Sequence, residues 1–224
     1  IPDMVEIRQL EFLAQQATVA LESAEVFQNL ARNNAELIVE VAELGYLRRE
    51  LLTLDATYGL GRFWRLWRPD RLYAHDLDPD KAPDGPADFT ALPYDDDTFG
   101  AVVLDGPYKL NGTPSAGGAA VSDTDYGVAA SSSWQARHDL INAGIREAAR
   151  VVMPSWRERV DRGRTEPVGG IVLIKCQDQV SAGAVRWQTL EFAATAAAAG
   201  LTLVASVAPT RAATRVAPIE ALAE

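Results

Sequence analysis

Between Leu51 and Trp64 the chain reads LLTLDATYGLGRFW. An apolar run ends in Asp55, turns through Gly59 and Gly61, and restarts with aromatics and arginines. This pattern predicts a buried parallel strand, a glycine turn and then a helix over Gly61–Arg68. Glycines let a backbone approach a ligand with no Cβ in the way, and a helix start offers unpaired N–H groups. Such a turn suits a nucleotide-like cofactor, although a lone G-x-G is common by chance.

Working outward, RLYAHDLD (Arg71–Asp78) predicts a second strand over Leu72–Asp76, ending in acids. Asp76 follows Gly59 by 17 residues, near the spacing at which an acid binds ribose hydroxyls. ADFTALP (Ala87–Pro93) places an acid–aromatic pair, Asp88 and Phe89, at another strand end. GAVVLDGPY (Gly100–Tyr108) is an apolar strand closed by Asp105, Gly106, Pro107 and Tyr108. Further strands are predicted at Ile171–Lys175 and Leu201–Val207, and helices at Trp134–Val152 and Trp187–Ala199.

From about Asn33 to Val207 these features resemble the class I S-adenosylmethionine-dependent methyltransferases. Within them the chain looks most like the amino-directed nucleic-acid enzymes with a D-P-P-Y-type motif. The resemblance implies an α/β fold: a Rossmann-like, mostly parallel sheet with helices on both faces. It implies S-adenosyl-L-methionine as cofactor. Asn34, Asp55, Thr57, Gly59 and Gly61 would lie along its methionine part, Asp76 on the ribose, and Asp88 with Phe89 on the adenine. Asp105, Gly106, Pro107 and Tyr108 would be catalytic. They would act on an exocyclic amine of a nucleic-acid base, adenine N6 or cytosine N4 in DNA. Gly106 stands where the family has a proline, which keeps the carbonyl but loses the fixed φ. An RNA, protein or small-molecule substrate, or a non-catalytic module with a decayed fold, remains open on the same residues.

Composition sets bounds. The chain has 224 residues, 48% of them hydrophobic, enough for one sizeable core. A net charge of −10 argues against a surface coated for tight nucleic-acid binding, so any such contact must be local. Arg62, Arg65, Arg68 and Arg71 recur every three residues; on a helix they would form a ridge, solvated or facing phosphate. A single cysteine, Cys176, excludes an intrachain disulfide framework and fits a cytoplasmic location. No apolar run reaches membrane-spanning length. Neither His75 nor His138 falls in a metal-ligand or triad pattern, and Asp95–Asp97 reads as a solvated turn, so no metal site is expected.

Three domains are expected: 1–32, 33–207 and 208–224. Ile7–Leu44 lacks glycine and proline, and its apolar residues recur at helical spacing. This long helix either packs on its own domain or links two copies as a homodimer. LEFLAQQATVALESAEVFQNL resembles the last helix of a GAF sensory domain, which, with Ile1 in place of Met, reads as a piece of a longer protein. Lys109–Ser133, rich in Gly, Ala and Ser, suits a substrate lid. SWRERVDRGRTEPV (155–168) departs from the family as a basic insert, either a solvated excursion or a nucleic-acid contact. Lys175, Gln177 and Asp178 would line the pocket from a strand end. ATRVAPI is a poor match to the family's final strand, which is expected to be missing or degenerate.

Overall fold

AVVL and IVLI are short runs with no polar residue on either side, and LTLD continues the apolar Leu51 with only Thr53 and Asp55 polar, the pattern of strands covered on both faces. In a computed structural model, which describes residues 34–106, 133–159, 165–181 and 184–204, they become three neighbouring strands of a parallel sheet. In chain order the elements are α1 (34–43), β1 (Leu52–Asp55), β2 (Arg71–Ala74), β3 (Ala101–Leu104), α2 (Trp134–Val151), β4 (Trp156–Arg159), β5 (Thr165–Val168), β6 (Ile171–Ile174), β7 (Gln179–Ser181), β8 (Ala184–Arg186) and α3 (Gln188–Ala198). Among the described residues the main sheet has four strands in the order β2-β1-β3-β6, all parallel.

Alternation along the strands sorts the core into two halves. Leu54, Val102 and Leu104 point to one side, where Ile141, Ile145 and Ala148 of α2 and Phe192 of α3 cover them. Ala101 and Val103 point to the other, against Ile38 and Val41 of α1 with Phe63 and Trp64. The fold is therefore α/β, with helices on both faces of a parallel sheet. The chain steps from β1 out to β2, then returns across β1 to β3 and on to β6. Strand order thus reverses between β1 and β3, and the crevice at their carboxyl ends is where open α/β sheets take ligands.

Helix α2 runs against the strands. Val151 at its end accepts the N–H groups of Thr98 and Phe99 just before β3, whereas Ile141, higher up, meets Gly106 just after it. Ser133 caps its start by accepting the Ala136 N–H at 3.2 Å.

Several expectations are corrected. Gly61–Arg68 is not an α-helix; Arg62–Arg65 makes one 3-10 turn. Trp64 is drawn inward to donate to Asp55, which closes the segment, so the arginines form no helical ridge. Ala87–Pro93 contains no strand, only an Asp88–Ala91 bridge. Its Asp88 carboxylate turns back onto Thr90, while Phe89 and Leu92, three apart, are both buried. Strand two stops at Ala74, and Asp76 lies beyond it in a single bridge to Pro86. Leu201–Val204 makes no strand. The basic insert is an antiparallel hairpin, β4–β5, rooted at the amino edge of the sheet, where Val152 bridges Phe99 and Met153 donates to Phe99. It therefore starts from the edge opposite the crevice. The N-terminal segment 1–32, Pro107 and Tyr108, most of the lid segment, and residues 205–224 with ATRVAPI lie outside the described residues.

Candidate functional site

Four strand ends converge at the carboxyl edge; Asp55 closes β1, and His75, Asp105 and Lys175 follow β2, β3 and β6. Asp55 is fully buried. It accepts the Trp64 indole N–H at 2.7 Å and the Thr57 N–H at 3.0 Å. Burial is the larger influence and raises its carboxyl from an ordinary 3.8 to about 7; the two hydrogen bonds oppose the rise, and Asp105 and Asp76 add to it. Asp55 thus fastens the glycine turn from within and offers no surface to a ligand.

The turn itself divides into two kinds of glycine. Gly59 and Gly61 both have positive φ, 55° and 63°. A Cβ on Gly59 would meet nothing nearer than the Thr57 carbonyl oxygen at 4.0 Å. A Cβ on Gly61 would sit 2.5 Å from the Tyr58 hydroxyl. So Gly59 leaves open backbone, whereas Gly61 makes room for the chain's own tyrosine.

Asp76 is buried beyond β2 and accepts the Gly59 N–H at 2.8 Å and the Asp78 N–H at 2.9 Å, one on each carboxylate oxygen. Each oxygen keeps a second acceptor site. The acid read as a ribose ligand is therefore also the clamp on the glycine turn. His75, next to it, bonds the Gly85 carbonyl through Nδ1 at 2.6 Å, so Nδ1 carries the proton; Nε2 then meets the Tyr94 hydroxyl. Burial raises the Tyr94 phenol.

Asp105 follows β3. Its backbone N–H donates to Thr57 Oγ1 at 2.7 Å, which ties the end of β3 to the glycine turn. Its carboxylate faces Lys175, just past β6, with Nζ 3.0 Å from Oδ1 and 3.1 Å from Oδ2. The Lys175 ammonium also lies 5.3 Å from the Phe63 ring centre. Thr57, Asp76, Asp105 and Lys175 are thus gathered around the switch point, with Gly59 open beside them.

Other expected residues fall elsewhere. Phe89 is buried against α2, so closely that a Cβ on Gly144 would lie 2.4 Å from its ring. That ring belongs to the core and has no free face for an adenine. Asp88 is exposed and spends Oδ1 on the Thr90 N–H and hydroxyl. Asn34 is half-buried in α1. Cys176 is largely buried beside Thr189, and burial raises its thiol, which does not suit a nucleophile. Gln177 donates its N–H to Gln188, and Asp178 accepts the Thr189 N–H, so both hold the start of α3. Among the described residues no group of three His, Cys, Asp or Glu side chains is placed to hold a metal ion, and no helix is long and apolar enough to cross a membrane.

Sequence reading missed three pairings. Thr57 with Asp105 and Lys175 with Asp105 join residues 48 and 70 apart. The third is a part-buried network between α2 and α3, in which His138 Nδ1 meets Glu191 at 2.6 Å and Asn142 donates to the same carboxylate at 3.0 Å. The only trace of any of them in the sequence is polar residues on otherwise apolar helix and strand ends. No protein-family model, curated protein or solved structure matches the chain.

Proposed function

We propose that the chain binds S-adenosyl-L-methionine at the carboxyl edge and methylates an exocyclic amino group of a nucleic-acid base, adenine N6 or cytosine N4 in DNA. The observation that carries this reading is the joining of the open Gly59 turn to Asp105 through Thr57 at the point where strand order reverses. The residues fit the cofactor at Gly59, which offers uncovered backbone, and at Asp76, which retains acceptor sites. Phe89 does not fit, so the adenine would have to be held by other groups. When bound, the cofactor supplies an electrophilic methyl group on a sulfonium.

The chain's own part is alignment. An exocyclic amine is a weak nucleophile because its lone pair is delocalised into the ring. Asp105 accepts an N–H of that amine and turns the nitrogen's density toward the methyl group. Lys175 grips both carboxylate oxygens and fixes their direction. The Gly106 carbonyl accepts the second N–H. Pro107 and Tyr108, outside the described residues, keep the catalytic roles that the D-P-P-Y resemblance gives them. Held this way, transfer needs little beyond orientation and exclusion of water, and the proton that the nitrogen sheds on gaining the methyl group would pass to the adjoining Asp105 carboxylate and on to solvent.

The test pairs calorimetry with S-adenosylhomocysteine and transfer of labelled methyl to unmethylated DNA and RNA, followed by nucleoside analysis. Asp105→Ala should abolish transfer and leave cofactor affinity nearly unchanged. Absence of cofactor binding, label on carbon, or full activity in Asp105→Ala would refute the reading. Label on RNA, protein or a small molecule alone would move the substrate class.

A further inference from the structure

Asp55 is a carboxyl wholly shut off from solvent, and among the described residues no cation pairs with it. Its two partners are neutral N–H groups, those of Thr57 and Trp64. The other charged and titratable groups at this edge come from three elements. Asp76 and His75 follow β2, Asp105 follows β3 and Lys175 follows β6. His75 gives its backbone N–H to the Asp55 carbonyl, while its ring bonds Gly85 and Tyr94 instead. Lys175 lies on both oxygens of Asp105. The edge therefore sets three carboxyl groups against one ammonium, and the most buried of the three is the one with no counterion. A buried charge without a counterion is costly, and both neighbouring acids add to that cost.

The place of Asp55 ties its proton to the ligand site. Ionised, it accepts from Thr57 and Trp64 in charge-assisted bonds. Protonated, one of its oxygens becomes a donor, and one of those two N–H groups is held less well. Thr57 in turn accepts the Asp105 N–H at 2.7 Å, and Gly59, two residues on, is the open backbone of the turn. Whatever favours the ionised form also tightens this turn.

We propose that the site is charge-selective and proton-linked: a cationic ligand supplies the counterion that Asp55 lacks, and the chain sheds the Asp55 proton as that ligand binds. This rests on the cofactor reading given above. Within that reading it separates the sulfonium present before methyl transfer from the uncharged thioether left after it. Once the positive charge is gone, Asp55 takes a proton back from solvent and the turn loosens around the spent cofactor. Proton counts set the sign. The free chain holds the proton below about 7 and the loaded chain gives it up, so affinity for the cation rises with pH and levels off above that value. A unit charge roughly 8 Å from the carboxyl, at an effective dielectric of about 20, favours the ionised form about 30-fold.

The experiment is calorimetry of the full chain with S-adenosylmethionine and, separately, S-adenosylhomocysteine, from about pH 5 to 7, where the amino group common to both ligands keeps its proton. Each titration is run in two buffers of different ionisation enthalpy, so that the difference in heat counts the protons released. S-adenosylmethionine should bind about tenfold more tightly at the upper end of this range than at the lower, and should release about 0.7 of a proton near its middle. S-adenosylhomocysteine should do neither. In Asp55→Asn, which has no proton to lose, the release and the pH slope should vanish. If both ligands bind the unmodified chain with the same pH profile and proton count, the linkage falls and the cofactor reading stands. Release that persists in Asp55→Asn belongs to another group, His75 first among them, and also overturns the linkage. If neither ligand binds, the cofactor reading falls and takes the linkage with it. Should Asp55→Asn fail to fold by circular dichroism, the contrast between the two ligands on the unmodified chain decides alone.

Discussion

Asp55→Asn isolates the charge at the root of the glycine turn. The carboxyl is fully buried, and burial lifts it to about 7 from 3.8. The sign follows from proton counts. Between those two values the folded chain holds a proton on Asp55 that the unfolded chain has released. Stability from this group is therefore greatest at low pH and falls as pH rises toward 7, then stays level. Integrated from pH 5 to 8.5, that loss is about 3 kcal/mol at 1.36 kcal/mol per unit. Asparagine has no charge to bury, so the pH term disappears in the variant. It also loses an acceptor, because one of the two N–H groups from Trp64 and Thr57 now faces an amide NH2, at a cost of about 1–3 kcal/mol. The variant should be the less stable protein at pH 5 and should draw level with or overtake the unmodified chain by pH 8.5. Urea titrations followed by circular dichroism at half-unit pH steps give the difference curve, in which the titrations of distant groups cancel. A difference that stays flat within about 0.5 kcal/mol would show that Asp55 is ionised throughout and that the fold tolerates a buried charge there.

The four strands of the main sheet and the two later helices were readable because their signals are local. AVVL and IVLI carry no polar residue, and α2 repeats apolar side chains at Ile141, Ile145 and Ala148, each a turn apart. The failures share a cause: a long-range partner overrode a local pattern. LGRFWRLWR has helical spacing, yet Trp64 reaches back nine residues to Asp55 and one 3-10 turn is left. ADFTALP reads as the end of a strand, yet Leu92 donates to Glu147 of α2, 55 residues on. Arg150 then holds the whole Leu92–Asp96 loop, bonding the Leu92 and Tyr94 carbonyls and the Asp96 carboxylate. Site position was legible for the same reason as the strands, since acids end three of the runs that became parallel neighbours. Site partnership was not. Nothing near Asp105 in sequence announces Lys175, and nothing near Asp76 announces that its first duty is the Gly59 N–H.

The turn glycines and the site ion pair supply the remaining tests. Gly59→Ala should cost about 1–2 kcal/mol, the left-handed backbone penalty alone, because the new methyl group clashes with nothing and its nearest neighbour is the Thr57 carbonyl oxygen at 4.0 Å. Gly61→Ala should cost more, since its Cβ also strikes the Tyr58 ring, and Tyr58→Ala in the same chain should return part of the loss; equal costs at the two glycines would refute the division between them. The last test concerns Lys175 and Asp105, whose side chains are 22% and 14% exposed and whose contact spans both carboxylate oxygens. Lys175→Met removes the cation but keeps the length of the side chain, leaving a carboxylate beside two other acids, Asp55 and Asp76. Asp105→Ala removes the carboxylate but leaves Lys175 on the face of Phe63. Each single change should therefore destabilise, by about 1–3 kcal/mol, as expected for stripping a partner from a mostly buried charge. The double variant should cost less than the sum, with a coupling of about 1–3 kcal/mol in a urea double-mutant cycle. Coupling below about 0.5 kcal/mol would place the pair among screened surface contacts, where Lys175 has no hold on the direction of Asp105.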